Sequence, residues 1–182
     1  MPQMAPLHLR FPLSEVRYWA ERYSYAYDRA LIDELVPEVR TQGFLTRLQL
    51  LTVVNWKAPR SRRHAEKAPE HMVIEATRIA LSTTGCEELR IGVPSLIPGV
   101  GYPMASVLLH FFHADPYPII DFRALWSLGI DRAPLYYTFR DRWAYVDACR
   151  RLSREASVDM RIFDRALWQY SKENQQDATE GA

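Results

Sequence analysis

The sequence predicts an all-α fold, and three observations carry that reading. Apolar residues recur at helical spacing in run after run. No stretch sustains the period-two alternation of a half-buried strand. Glycines and prolines punctuate the runs, and no segment repeats another.

Residues 1–13 hold three prolines and little periodicity, which reads as an extended arm. Val16, Trp19, Ala20, Tyr23 and Tyr27 then follow helical spacing, with Ser14 placed to cap the start. A second helix is expected through "DRALIDEL", opened by Asp28 and limited or kinked at Pro37, and Gly43 punctuates after it. "FLTRLQLLTVVNW" contains the β-branched run Thr52–Val54, but its length favours a helix. "KAPRSRRHAEKA" reads as a basic loop or helix start. "PEHMVIEATRIALS" reads as a helix with Pro69 near its first position and Met72, Ile74, Ala76, Ile79 and Ala80 on its apolar face. Gly85 is expected to close it. "CEELRIGVPSL" is expected as short helical turns broken at Gly92 and Pro94. A further short helix follows Asp121, a long one opens at Pro134, and Asp159 caps the last, "MRIFDRALWQYSK".

Composition narrows the function classes. A chain of 182 residues with 48% apolar content can bury one sizeable core, as one domain or two closely fused lobes. The expected organisation is an arm over 1–13, a single all-α domain over 14–173 and a polar tail over 174–182. A charged fraction of 25% with 12% aromatics argues against disorder. The net charge of +1 excludes a generic polyanion binder, so any nucleic-acid affinity requires local segregation of charge. Two cysteines, Cys86 and Cys149, without a C-x-x-C pair suit a reducing cytoplasm and support neither a disulfide framework nor a thiolate cluster. No basic segment leads an apolar one at the start, and no apolar run reaches the roughly 20 residues of a membrane span. The expectation is a cytoplasmic protein with no membrane partner.

Charge does segregate at one place. "WKAPRSRRHAEK" holds Lys57, Arg60, Arg62, Arg63 and Lys67 against Glu66, a local net of +4 in a chain of +1. That suits an edge tracking phosphates, with Pro59 and Trp56 stiffening it; the plainer reading is a solvated helix start, with Trp56 in the core.

Downstream, "SLIPGVGYPMASVLLHFFHADPYPIIDFRALWSLG" places a Pro98-Gly99-Val100-Gly101 turn between two apolar runs. Glycine permits positive φ and close backbone approach, and Pro103 suits the first turn of a helix starting near Tyr102. The N-terminus of that helix, with its unpaired N–H groups and dipole, can receive a phosphate oxygen; a tight αα turn with no ligand is the plain alternative. Ala105 is small where two helices must cross closely. Asp121 then opens "FRALW", as an N-cap, as a functional carboxylate, or as both. His110, His113, Tyr102 and Tyr117 bracket this region as packing residues with polar tips, His113 and Tyr117 also being candidates to line a base pocket with Trp56. The His110–His113 spacing resembles half a metal site, but no second ligand cluster accompanies it, so no metal is expected.

The segments "LIPGVGYPMASVLL" and "YPIIDFRALWSLG" resemble the helix-hairpin-helix and aspartate segments of the DNA glycosylase superfamily that includes endonuclease III and the adenine and 8-oxoguanine glycosylases. The likeness spans roughly residues 44–172 and is strongest over 95–129. It implies a helix-hairpin-helix glycosylase-like helical domain binding double-stranded DNA as a monomer. In this reading Pro98, Gly99, Val100, Gly101, Tyr102 and Ala105, with Lys57, Arg60, Arg62 and Arg63, face DNA, and Asp121 is the catalytic carboxylate. Where bifunctional members carry a Schiff-base lysine this chain has Pro103, and the four-cysteine iron–sulfur loop is missing. The expected function is therefore monofunctional base excision without an iron–sulfur cluster or other cofactor, apart from room for a monovalent cation at the hairpin. The rival from another class is a DNA-binding module that kept the hairpin and lost catalysis.

Overall fold

A computed structural model describes residues 7–23, 30–131 and 138–175. Every regular element among them is helical. The chain packs as two compact units, one from its middle through Tyr117 and one from both ends, up to Tyr23 and from Pro118 on.

The middle unit begins with a wide π turn, Ala30–Leu35, that runs into α2, Val36–Gln42. Pro37 lies in the first turn of α2, where its missing N–H costs least, and the widened turn precedes it. Gly43 ends α2 with φ 77°, the left-handed conformation that a side chain resists. Asp28, expected to open this helix, lies outside the described residues. α3, Arg47–Lys57, starts from a reciprocal cap: the Thr46 hydroxyl accepts from Gln49 N–H, and the Gln49 side chain accepts from Thr46 N–H. That cap commits the β-branched run to a helix, with Val53 and Val54 fully buried.

α5, Glu70–Leu81, buries Ala76 and Ala80 of its expected face but is turned so that Val73 and Thr77 point inward as well. Val73, Ala76, Thr77 and Ala80 are buried, while Ile79 is exposed and Met72 and Ile74 are half-buried. The Thr77 hydroxyl draws that face in: it donates to Val73 C=O at 2.7 Å and accepts from Leu45 N–H at 2.8 Å. Pro69 is the N-cap of α5, not its first residue, and Ser82 rather than Gly85 terminates it, in extended conformation. α6, Glu87–Gly92, and a 3₁₀ turn, Val93–Leu96, lead to α7, Tyr102–Phe112. Seven of the eleven residues of α7 are buried, so it forms the centre of this unit.

In the terminal unit a 3₁₀ turn, Leu13–Glu15, feeds α1, Val16–Glu21. Ser14 sits inside that turn and makes no cap; the extended Pro12 precedes it instead. The expected arm is docked over its described part: His8 N–H donates to Leu128 C=O and Arg10 N–H to Ser127 C=O. α8, Phe122–Ser127, α9, Phe139–Glu155, and α10, Met160–Asn174, complete the unit. Asp159 caps α10 as expected, its carboxylate accepting from Ile162 N–H. Pro134 lies outside the described residues; α9 begins from a reciprocal Thr138–Asp141 cap. Val16, Leu125, Cys149, Phe163 and Leu167 build the core, and each fully buried Leu or Phe contributes about 1.5–3 kcal/mol. Trp126, Trp143 and Trp168 are half-buried and covered by cations. Arg10 lies 4.6 Å over Trp126, Arg150 5.6 Å over Trp143, and Lys172 5.2 Å over Trp168. Both cysteines are free thiols.

Candidate functional site

The glycine turn is rooted in the core of the middle unit. Ile97 and Val100 are buried on either side of it, and Val100 N–H donates to Ile97 C=O at 3.0 Å. Gly99 takes φ 79°, and a Cβ there would stand 2.8 Å from Ala65 N and 3.0 Å from Ser61 O. The basic segment is what crowds it. Pro59–Ser61 forms a 3₁₀ turn and Arg62–Ala65 a single α-turn, α4, which sits directly on Gly99. Glycine thus lets the hairpin and the basic segment meet backbone to backbone.

Gly101 has a different role. It is the N-cap of α7, exposed and extended at φ −86°, and a Cβ on it would meet nothing closer than Pro103 Cδ at 3.8 Å. No side chain caps α7 at this end, and Pro103 falls in its first turn as expected. Pro98 is exposed and Tyr102 half-buried. Val100, in the turn, and Ala105, in α7, are by contrast 3% and 0% exposed, so their side chains are packing groups. Any contact they make with DNA would therefore run through their backbone.

The cations around the turn are not equivalent. Arg62 pairs with Glu66 at 2.7 Å one helical turn away, and Arg63 Nε donates to the His64 ring at 3.2 Å. Arg60 and Lys67 are exposed and have no acidic partner among the described residues. Lys57 is half-buried at the end of α3.

The base-pocket candidates lie further inside. Trp56 is half-buried, edge-on to Phe111 at 5.4 Å. Tyr117 and His113 are 1% and 2% exposed, so both side chains are enclosed by the protein. The Tyr117 hydroxyl donates to Glu87 Oε2 at 2.6 Å and lies 3.3 Å from Arg90 Nη1; its carbonyl is 2.6 Å from His110 Nδ1. Arg90, itself buried, also donates to Ser82 and Thr83 carbonyls, so the group forms a connected polar network under α6. Asp115 N–H donates to His113 Nδ1 at 2.9 Å, which leaves the His113 proton on Nε2, 3.4 Å from Ser82 O. Burial, reinforced by the Arg90 charge, lowers the His113 pKa. Among the described residues no cluster of potential metal ligands occurs.

Asp121 belongs to the terminal unit. Its extended backbone, φ −148°, starts α8, and its Oδ1 accepts from Ala124 N–H at 2.8 Å. It is half-buried rather than sealed. Its lead-in has supports that sequence reasoning missed. Ile119 N–H donates to Asp164 Oδ1 at 2.9 Å, and the Tyr145 hydroxyl donates to Ile119 O at 2.7 Å. No spacing in the sequence links positions 119, 145 and 164, so only the fold reveals them.

These features define an all-α chain with a glycine-turned helical hairpin seated under a short basic helix, and a separate helix opened by an aspartate. No family model and no curated protein matches the chain. Among solved structures it is similar to the 8-oxoguanine glycosylase/lyase of Methanocaldococcus jannaschii in complex with a 15mer DNA containing 8-oxoguanine. Identity is 20% and the TM-score 0.47, over 91% of this chain and 82% of that one. It is similar also to the 8-oxoguanine DNA glycosylase of the same organism, at 20% identity and TM-score 0.47, over 90% and 78% of the two chains. Among the described residues no helix is long and apolar enough to cross a membrane.

Proposed function

We propose that this protein binds double-stranded DNA and hydrolyses the N-glycosidic bond of a flipped base, with Asp121 as the catalytic carboxylate and no strand cleavage. The observation that carries the reading is the seating of α4 on Gly99. It puts exposed cations next to an exposed helix start with no side-chain cap, the combination a phosphate backbone fits. In the reaction, water adds its oxygen to C1′, the C1′–N bond breaks, and the base leaves with a proton. The negative charge of Asp121 offsets the developing sugar cation and orients the water, while the Ala124 amide fixes the carboxylate's direction. Pro103 offers no amine to form an imine with the sugar, so an abasic site is the product. No cofactor enters this scheme.

One observation favours a second reading, a non-catalytic DNA-binding module: the Asp121 carboxylate is already engaged as a helix cap. A panel of duplexes carrying different lesions, tested with wild type and Asp121→Asn, separates the two. Asn is a comparable N-cap, so melting temperature and DNA affinity should hold. Excision should fall by a factor of about 10² to 10³ or more with the loss of the charge and of basicity towards water. Undiminished excision by Asp121→Asn would reduce the residue to a cap, and binding with no excision of any lesion by wild type would favour the module.

A further inference from the structure

Both backbone groups of Ile119 are held by side chains from other helices of its own unit. Its N–H reaches Asp164 on α10, and its carbonyl receives the hydroxyl of Tyr145 on α9. A residue outside any regular element has no ladder of its own, so these side chains satisfy its backbone groups instead. All three residues are buried, and Asp164 is steadied in turn by Arg161 at 3.3 Å. The Tyr145 hydroxyl is pushed well above its ordinary pKa, first by burial and then by the neighbouring Cys149 and the charges of Asp164 and Asp121.

An interior made for stability alone would have little use for this arrangement. Buried polar groups bring a desolvation cost that apolar packing avoids, and α8 already has its own cap. What two buried anchors on one residue provide is position. The peptide units on either side of Ile119 are each held by one hydrogen bond, so neither turns freely, and the residue two places on inherits that constraint.

We infer that Tyr145 and Asp164 are positioning residues for Asp121, fixing Ile119 and so holding the carboxylate where the sugar must be met. The inference rests on the reading of Asp121 as the catalytic carboxylate. A displacement of about 1 Å in such a group costs on the order of 10²-fold in rate, so loosening the brace has a measurable consequence.

The test compares Tyr145→Phe, Asp164→Ala and Asp164→Asn in single-turnover excision and in duplex binding, beside Asp121→Asn. Tyr145→Phe and Asp164→Ala should lower the rate constant about 10- to 100-fold while the duplex Kd changes by no more than about two-fold. Asp164→Asn retains an acceptor oxygen for Ile119 N–H and should recover most of the rate, a rescue that loss of general stability would not produce. Independently of activity, hydrogen exchange at the Ile119 amide should speed up about ten-fold or more in Asp164→Ala, with the amides of α10 unchanged. Wild-type rates in Tyr145→Phe and Asp164→Ala, with Asp121→Asn inactive, would overturn the brace and leave the functional reading standing. Asp164→Asn as slow as Asp164→Ala, or an Ile119 amide that exchanges freely in wild type, would also overturn it. Full excision by Asp121→Asn would remove the functional reading and the brace together.

Discussion

Replacing Gly99 by alanine tests the junction on which the DNA-facing reading rests. The new Cβ would lie 2.8 Å from Ala65 N, 3.0 Å from Ser61 O and 3.1 Å from His64 Cβ, and two of these are backbone atoms that cannot swing aside. A left-handed φ costs a side chain about 1–2 kcal/mol, and overpacking typically adds about 1–3 kcal/mol. The lower entropy of the unfolded alanine chain returns about 0.4–1 kcal/mol. The net destabilisation should be about 1–5 kcal/mol, a fall of roughly 2–20 °C in Tm for a chain of this size. Urea and thermal unfolding read it directly. Gly101→Ala is the control: at φ −86° with open space around the Cβ, its stability should stay within about 0.5 kcal/mol of wild type. On the proposed reading its methyl group would nevertheless crowd the phosphate at the turn, so duplex affinity should drop without loss of fold. A Gly99→Ala protein melting with wild type would mean that α4 does not sit on the turn.

The cations should contribute unequally to binding. Arg60→Ala and Arg63→Ala should each flatten the salt dependence of duplex affinity by about one counterion, and Arg62→Ala by less, because Glu66 already engages it; equal effects, or salt-independent binding, would contradict this. Borohydride reduction during turnover should trap no protein–DNA adduct, since position 103 has no amine; an efficient adduct would require another nucleophile. His113 predicts an acid limb to stability. Its pKa is depressed in the folded state, so its contribution is complete above the unfolded value near 6.5 and is lost as pH falls through the lower folded value. Urea unfolding at pH 7 and pH 5 should therefore show a smaller loss in His113→Gln than in wild type, and identical losses would place the acid sensitivity elsewhere.

The helices were legible wherever local chemistry agreed with periodicity, as at Asp121 and Asp159, whose caps could be read from the sequence. α3 was ambiguous by composition, and the Thr46–Gln49 cap that settles it is itself a sequence signal, lying just ahead of the β-branched run. The inward face of α5 was read correctly at Ala76 and Ala80 and wrongly at Ile79, because hydropathy ranks Ile79 above Thr77, whereas a hydroxyl bonded to Leu45 is buried through a partner in another segment. Ser14 misled for the opposite reason: a good capping residue stands there, but the chain turns one step earlier. For the candidate site, the glycine turn and the excess of charge were visible. The contact of α4 with Gly99 and the anchoring of Ile119 join residues far apart in the chain, and periodicity holds no trace of them.

The docking of the N-terminal segment has a consequence for the order in which the molecule is made. Tyr170 donates its hydroxyl to Arg10 O, a bond between residues 160 positions apart, and Arg22 grips Glu173 across 151. The middle unit is continuous in the chain and can close while synthesis proceeds. The terminal unit must wait, its first helix already made, until α10 has left the ribosome, and only then can the long loop between the chain's two ends be closed. During that interval the apolar faces of α1, Val16 and Ala20 among them, are exposed to whatever else will bind them, so a chain stalled before α10 is the form of this protein most in need of a chaperone.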